Sequence, residues 1–321
     1  MSQDSLQTEV HKPSSDNPSD KIVELLGGIG DHYEFNYSTF HFDILPFIFY
    51  DKGSFHFFSN KKSMEASGDY IFEHHHPVRT SDHQAPDLDL TVTNLVAFQF
   101  IAAIIVITAF FKISGKYRKE PKKAPSGFQN LMESLILFVR EDVVKPNLDT
   151  KTSKMLLPYF LTLFFFILVV NLLGMVPGGH AATGNLGTTS ALAIIAFFVI
   201  NIIAIVRTGI GHWLAHLLGG APIWLAPLMV PLEIMGMLVK PFALAMRLFA
   251  NMVAGHVVLY ILIGLIFLFG LLMSPILVGF SIFIFMLEIL VAFLHAYIFT
   301  MLTAIFVSLA VGHVHDEAHS H

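Results

Sequence analysis

The sequence predicts an all-α polytopic membrane protein with five helices at membrane depth. Hydrophobic residues make up 54% of its 321 residues, charged residues make up only 13%, and 31 residues are phenylalanine. This composition is typical of a chain that crosses a bilayer several times, not of a soluble enzyme. The sequence contains no cysteine, which excludes disulfides and thiolate metal sites. We expect no cofactor and no nucleic-acid partner.

The chain divides into a polar N-terminal extramembrane extension (residues 1–92), a membrane domain (93–312) and a histidine-rich tail (313–321). The first ten residues lack the basic region and apolar stretch of a usual signal peptide. Between residues 35 and 58, aromatic residues alternate with others on both sides of Gly53. This pattern predicts a short hairpin packed on the membrane face.

Histidines cluster at residues 74–76 and in the tail, and both clusters have the composition of a metal-binding tract. A solvated loop is the commoner outcome for such a histidine run. The tail follows a helix end, where chains are usually solvated. We therefore expect a solvated loop and a solvated tail.

The first membrane span is expected at residues 95–111, where Gln99 is the only strongly polar residue. Six lysines and arginines follow between residues 112 and 123. By the positive-inside rule this loop is cytoplasmic. The extension then lies outside, in the periplasm if the protein is in a bacterial inner membrane, and the C-terminus is cytoplasmic.

Residues 125–147 predict one interfacial amphipathic helix. Apolar residues recur at helical spacing, and Glu133, Arg140, Glu141 and Lys145 lie between them. A helix of this sort lies in the membrane interface and does not cross the bilayer. Packing on a soluble partner is the alternative for the same pattern.

The next two spans, residues 156–176 and 191–206, predict a helical hairpin whose tip faces outward. Asn171 and Asn201 are polar residues within these spans. They could line a polar channel surface between the helices. They could equally form hydrogen bonds between packed helices, which is the more frequent use of membrane asparagines.

The last two apolar runs, residues 231–270 and 275–311, are too long to stand upright in a bilayer. Forty residues extend about 60 Å as a helix, against about 30 Å of hydrocarbon. Two long and strongly tilted helices that wrap a curved partner fit this length. We expect the break between them at Ser274 and Pro275.

The ionisable residues within these runs include Arg247, His256, Glu288 and His295. An arginine keeps its proton, and placing it at the bilayer centre costs about 2.5–3.5 kcal/mol on insertion scales. Arg247 and His256 are nine residues apart and point to opposite faces, whereas Glu288 and His295 share a face. A histidine and a carboxylate at depth suit a proton relay. Snorkelling of the arginine and simple interhelical hydrogen bonds are the alternatives.

Residues 243–252 read ALAMRLFANM, which is the order small, any, small, apolar, Arg, Leu, any, small, Asn, apolar. Glu233 and Lys240-Pro241 precede this stretch, and Ala254-Gly255-His256 follows it. The order resembles the arginine signature of subunit a of the F-type ATP synthase. Residues 171–185 and 294–303 are similar to two further regions of that family. The resemblance covers about residues 95–312.

The resemblance implies a proton-translocating stator subunit that offers two half-channels to the carboxylate of a rotating c-ring. Proton flow is thereby coupled to ring rotation. It implies that Arg247 separates the half-channels with Asn251 beside it, and that His256 and Glu288 serve the outer half-channel. His295 stands where many members carry glutamine, and we expect it to be neutral. Candidates for channel lining are Asn171, Asn201 and Glu233.

The implied partners are the c-ring proteolipid, the peripheral-stalk subunit b, the remaining ATP synthase subunits and membrane lipid. The resemblance also implies a subunit that is not catalytic by itself, and we expect protons and not sodium as the coupling ion.

Two other classes of function remain open at this point. A haem-binding membrane oxidoreductase could use His256 and His295 as axial ligands, and a Soret band in the purified protein would favour it. A divalent-metal transporter could use the histidine-rich ends, and metal-dependent transport without a ring partner would favour that. Neither alternative requires the arginine signature.

Overall fold

The computed structural model describes residues 35–37, 40–42, 45–73, 76–119, 124–175, 184–216, 218 and 222–317. A small β-rich part precedes a larger helical part. The fold is that of a mostly helical polytopic membrane protein, as predicted. His74, His75 and the last four residues of the tail lie outside the described residues.

The β-rich part is built from short antiparallel strands and one short helix, α1 (Lys61–Ala66). The strands form three sheets: β1 (Phe35–Tyr37) with β2 (Phe40–Phe42), β3 (Phe47–Asp51) between β4 (Ser54–Phe58) and β7 (Leu88–Asp89), and β5 (Tyr70–Glu73) with β6 (His76–Arg79). Its buried apolar residues, Phe47, Phe49, Met64 and Tyr70, form a cluster between the three-stranded sheet and α1.

The predicted hairpin is confirmed as strands β3 and β4, whereas its packing on the membrane face stays a prediction. Lys52 and Gly53 form its two-residue turn with φ values of 47° and 83°. Two successive positive φ angles are what a tight hairpin turn needs, and glycine adopts them without strain. The other strands were not predicted, because each is short and β7 pairs with β3 only through distant contacts, Phe49 with Asp89 and Tyr50 with Leu88.

A buried ion pair holds the β-rich part together. Asp51 is only 3% exposed, and the Nε atom of Arg79 donates to its Oδ2 atom at 2.7 Å. The Tyr70 hydroxyl donates to the same oxygen at 2.9 Å. The Arg79 guanidinium holds the pKa of Asp51 well below its usual range, and burial with the Asp51 contact raises the pKa of Tyr70. Asp87 also accepts from Arg79, at 2.6 Å.

Five helical segments are long and apolar enough to cross a membrane, which confirms the predicted number. They are α2 (Asn94–Lys119), α5 (Thr150–Gly174), α6 (Leu186–Thr208) and two parts of α8 (Ala226–Glu317). The first span is longer than expected, because α2 continues through the basic residues Lys116, Arg118 and Lys119. A short helix, α7 (Ile210–His216), follows α6.

The break within α8 lies at Gly270, so the prediction of a break at Ser274 and Pro275 was wrong. Gly270 has φ 67° and ψ −164°, a conformation that is essentially restricted to glycine. Pro275 lies about one turn into the next helix, which continues through it. Gly270 divides α8 into an arginine arm (residues 226–269) and a glutamate arm (residues 271–317).

The predicted amphipathic helix is present but not uniform. Helix α3 (Phe128–Phe138) leads into a π-helical segment (Val139–Val144) and then into α4 (Lys145–Asn147). Val139, Val143 and Val144 are fully buried in the main helical core, so its apolar face packs on other helices of the chain. Its position in the membrane interface stays a prediction.

Helix α5 is the centre of the helical part. Its buried residues Phe160, Phe164 and Ile167 belong to the main core together with Phe299 of the glutamate arm. The side chain of Asp149 accepts from the first backbone N–H groups of α5 and fixes where the helix begins. Helix α5 thus gives the glutamate arm of α8 a surface to pack on.

Candidate functional site

The two arms of α8 run antiparallel and bring the predicted site residues together in two polar layers. The arginine layer contains Arg247, Asn251 and His295, and Asn251 contacts His295 at 2.8 Å. The pair layer contains His256 and Glu288, whose Nδ1 and Oε1 atoms are 4.0 Å apart. The nine residues from Arg247 to His256 separate the layers by about 13 Å along the arginine arm.

In the arginine layer the arginine is exposed and the histidine is buried. Arg247 lies on the outer face of its arm and forms no ion pair within the described part of the chain. His295 is only 4% exposed, and its Nε2 atom faces the amide nitrogen of Asn251. In this orientation of the Asn251 amide the N–H₂ group donates and Nε2 accepts, which places the ring proton on Nδ1, an atom with no hydrogen-bond partner among the described residues. This geometry fits a neutral His295, as expected beside a fixed positive charge.

In the pair layer the histidine is tied to two backbone carbonyls. His256 Nδ1 lies 3.0 Å from the carbonyl oxygen of Met252, and Nε2 lies 3.2 Å from that of Gly174. A neutral imidazole has one N–H donor, so it donates to one of the two oxygens at a time. Gly174 ends α5, so this contact joins the arginine arm to the C-terminal end of that helix.

The carboxyl group of Glu288 is buried without a hydrogen bond. Its two oxygens are inaccessible and have no hydrogen-bond partner among the described residues. The Nδ1 atom of His256 lies 4.0 Å from the Oε1 atom of Glu288. In the pair layer, a protonated His256 is the group that can compensate the negative charge of an ionised Glu288. An ionised carboxylate is costly in such a place unless it is paired or takes up a proton. The structure therefore holds the Glu288 carboxyl group in the packed interior without a fixed hydrogen bond to a described residue.

Gly255 makes the space for this carboxyl group. A Cβ atom at residue 255 would lie 2.7 Å from the Glu288 Oε1 atom, closer than a carbon and an oxygen normally approach. Sequence reasoning noticed Gly255 only as a flank of the signature. Its adjacency to His256 was the available signal, but the contact with Glu288 depends on how the two arms align.

Of the other candidates for channel lining, Asn171 lies beside Ala292, which is between Glu288 and His295 on the glutamate arm. Asn171 is fully buried and donates to the Ala292 carbonyl of the glutamate arm at 3.4 Å. Asn201 accepts from Trp213 of α7 at 3.2 Å. Both contacts join helices, which is the structural use that the sequence left open. Glu233 is half-buried and lies about 20 Å from Arg247 along the helix axis.

The arrangement does not favour the haem or metal alternatives. His256 and His295 lie in different layers, and His256 uses both ring nitrogens on backbone carbonyls. No group of three or more His, Asp or Glu residues within the described ranges is positioned to hold a metal ion.

Comparison with known proteins identifies the family. A family model described as ATP synthase A chain matches residues 96–308. The chain is 49% identical to ATP synthase subunit a of Chloroherpeton thalassium, an alignment that covers 73% of this chain and 71% of the relative. It is 45% identical to ATP synthase subunit a of Myxococcus xanthus, covering 73% and 78% of the two chains. The chain belongs to the ATP synthase A chain family.

Proposed function

We propose that this chain is the proton-translocating stator subunit of an ATP synthase, and that its two polar layers form the proton path. One observation carries the assignment of the residues: Arg247 is exposed on one side of its arm, whereas His256 is buried on the opposite side, next to the inaccessible carboxyl oxygens of Glu288. The fixed charge therefore faces a partner, and the acid and base face the interior of the subunit.

Arg247 faces a surface that another helix can approach closely. Ala243, Ala250 and Ala254 are exposed at helical spacing around it, and small residues of this kind let helix backbones come together in membranes. A guanidinium at membrane depth needs an anionic partner, and a carboxylate of the c-ring supplies one. The arginine then prevents that carboxylate from carrying a proton directly from one half-channel to the other.

His256 and Glu288 supply the acid and base of the outer half-channel. His256 contacts the end of α5, so the pair layer lies near the α5–α6 end of the bundle. By the positive-inside prediction this end is the periplasmic side. A proton that reaches Glu288 can pass along the subunit interior toward the arginine layer, where the ring carboxylate takes it up.

The rest of the assembly follows the same proposal. The span in the glutamate arm is 39 residues, or about 58 Å, so the arm must tilt in a bilayer and can follow the curved wall of the ring. The c-ring, the peripheral-stalk subunit b and the remaining ATP synthase subunits are the expected partners. We place the chain in a bacterial inner membrane with protons as the coupling ion, and it catalyses nothing alone.

The experiment that tests this assignment replaces Arg247 in the assembled ATP synthase. Arg247→Ala should abolish ATP-driven proton pumping in vesicles while the subunit still assembles with the ring. Arg247→Lys should restore pumping only partly, because an ammonium is a compact point charge and lacks the planar donors of a guanidinium.

Arg118→Ala is the matched control, since Arg118 is an exposed residue in the last turn of α2. It should leave pumping nearly unchanged. Coupled pumping that survives Arg247→Ala in a fully assembled complex would remove Arg247 from the proton path.

A further inference from the structure

The three-stranded sheet of the β-rich part has a second apolar face that nothing in the described chain covers. Its residues are large and exposed to different degrees: Tyr50 37%, Phe55 73%, Phe57 67%, Leu88 51% and Leu90 48%. Isolated exposed apolar residues are common on protein surfaces, but a contiguous group of this kind marks an interaction site.

The strand register shows that these side chains share one face. Tyr50 pairs with Phe55 on one side and with Leu88 on the other, and directly paired residues point to the same face. Phe57 follows Phe55 by two residues and therefore points the same way. Phe47 and Phe49 alternate with these positions and are buried in the core on the opposite face.

The sheet is joined directly to the first membrane span. The backbone N–H of Ile48 donates to the Thr91 hydroxyl, and that of Val92 donates to the Pro46 carbonyl, so the chain stays attached to the sheet until residue 92. Helix α2 begins at Asn94. The four residue steps from Leu90 to Asn94 span at most about 14 Å, so the apolar face cannot lie far from the point where the chain enters the bilayer.

We propose that this sheet face docks on the lipid interface around the start of α2. The interface favours aromatic side chains with a polar end or edge, and the face presents Tyr50 between Phe55 and Leu88. The buried Asp51–Arg79 pair keeps the sheet rigid, so the face is presented without a folding step. The occupant is lipid because the sheet continues into a membrane helix. This inference goes beyond the proposed proton path and does not depend on it.

The absence of cysteine permits a direct test in the full chain. Single variants Phe55→Cys and Phe57→Cys would carry a nitroxide spin label in subunits reconstituted in lipid vesicles. Collision with oxygen, which enters lipid, and with a water-soluble nickel chelate would then be measured. Phe100→Cys, at an exposed apolar position of α2, is the lipid control, and Ala66→Cys, at an exposed position of α1 beyond the opposite sheet face, is the water control.

The oxygen-to-nickel accessibility ratio at residues 55 and 57 should exceed that at residue 66 severalfold and approach that at residue 100. Ratios equal to that at residue 66 would overturn the proposal, because the face would then be in water. Shielding from both reagents would also overturn it and would indicate a protein occupant, such as the N-terminal residues or another subunit.

A second measurement uses no spin label, so a label that disturbs the sheet cannot affect its result. Cleavage by trypsin at Lys52 of the unlabelled chain should be severalfold slower in vesicles than in detergent, and equal rates would count against docking.

Discussion

The β-rich part and the two arms of α8 use the same residue types in opposite ways. In the β-rich part, Arg79 and Asp51 are buried together and bonded to each other. In the arms, Arg247 is exposed, and the inaccessible carboxyl group of Glu288 lies beside Gly255, about 12 Å from Arg247 along the helix axis. The first arrangement satisfies its charges inside the chain, whereas the second keeps an arginine and a carboxylate apart.

The difference teaches how to separate a structural charge from a functional one. Removing one partner from a satisfied buried pair leaves an isolated charge and destabilises the fold. An unpaired charge at membrane depth contributes little to the fold and is available to a partner or a proton. Variants in the β-rich part should therefore change stability without changing transport, and variants in the arms should do the reverse.

The largest effect expected in this comparison is the loss of stability in Asp51→Asn. The variant leaves Arg79 buried with its main anion gone and should destabilise the β-rich part by about 3 kcal/mol. Hydrogen–deuterium exchange of residues 45–92 in the reconstituted chain measures this loss. Glu65→Gln, at an exposed carboxylate of α1, is the control and should have little effect. Loss of proton pumping in Asp51→Asn with the membrane helices intact would break the comparison.

The stability of this part should also depend on pH in a direction fixed by its titrating groups. The pKa of Asp51 is lowered in the fold, so its contribution is present above the unfolded value of about 4 and is lost as pH falls through the folded value. The pKa of Tyr70 is raised, so its contribution is present below about pH 10 and is lost as pH rises further. The stability of the β-rich part can be measured by urea titration at several pH values, with unfolding detected by a deuterium pulse at a fixed pH. The parent should lose stability at acid pH, and Asp51→Asn should not show this loss.

Sequence reasoning predicted the features that depend on neighbouring residues. Long apolar runs gave the five spans, and Gly53 gave the hairpin turn. Helical spacing put Arg247 and His256 on opposite faces of one arm. Each of these follows from a local period or from the backbone conformation of a single residue.

The features that were not predicted depend on contacts between distant parts of the chain. His256 contacts the Gly174 carbonyl across 82 residues, and no periodicity relates the two. The break at Gly270 was placed four residues late, because a proline is a strong local signal whereas the conformation of a glycine depends on its surroundings. The contact between Gly255 and Glu288 follows from the alignment of the arms about that break.

Glu288→Gln should slow proton pumping by roughly tenfold or more, because a positioned proton-transfer group contributes about 10²-fold to 10⁴-fold to such steps. The amide keeps the volume of the carboxyl group, so assembly should be unchanged. Exchanging the pair, with His256→Glu and Glu288→His, should retain more pumping than either single change, because the layer needs one acid and one base. Pumping in vesicles measures all three variants. An exchange no better than the worse single variant would show that the two residues do not act together.

A smaller effect is expected when the space beside Glu288 is filled. Gly255→Ala places a methyl group against Oε1, which is the mobile end of a side chain, so the carboxyl group should move while the helices stay in place. Pumping should fall severalfold without loss of assembly. Gly236→Ala is the matched control on the same arm, since a Cβ atom there meets no atom within 4 Å. Equal pumping in the two variants would mean that the position of Glu288 does not matter.

The smallest effect should come from His295→Gln, which restores the residue that many members of the family carry. A glutamine oxygen can accept from Asn251 as the ring nitrogen does, so pumping at neutral pH should stay within about twofold, or about 0.4 kcal/mol.

At acid pH, pumping by the parent and pumping by His295→Gln should diverge. A proton on Nε2 would remove the acceptor and place a second cation beside Arg247, whereas an amide takes up no proton. His295→Leu keeps an apolar volume but leaves the amide of Asn251 without this acceptor, and it should lose more activity at every pH. Pumping by all three chains across acid pH checks this order. A parent enzyme no more sensitive to acid than His295→Gln would show that the neutral histidine adds nothing that glutamine lacks.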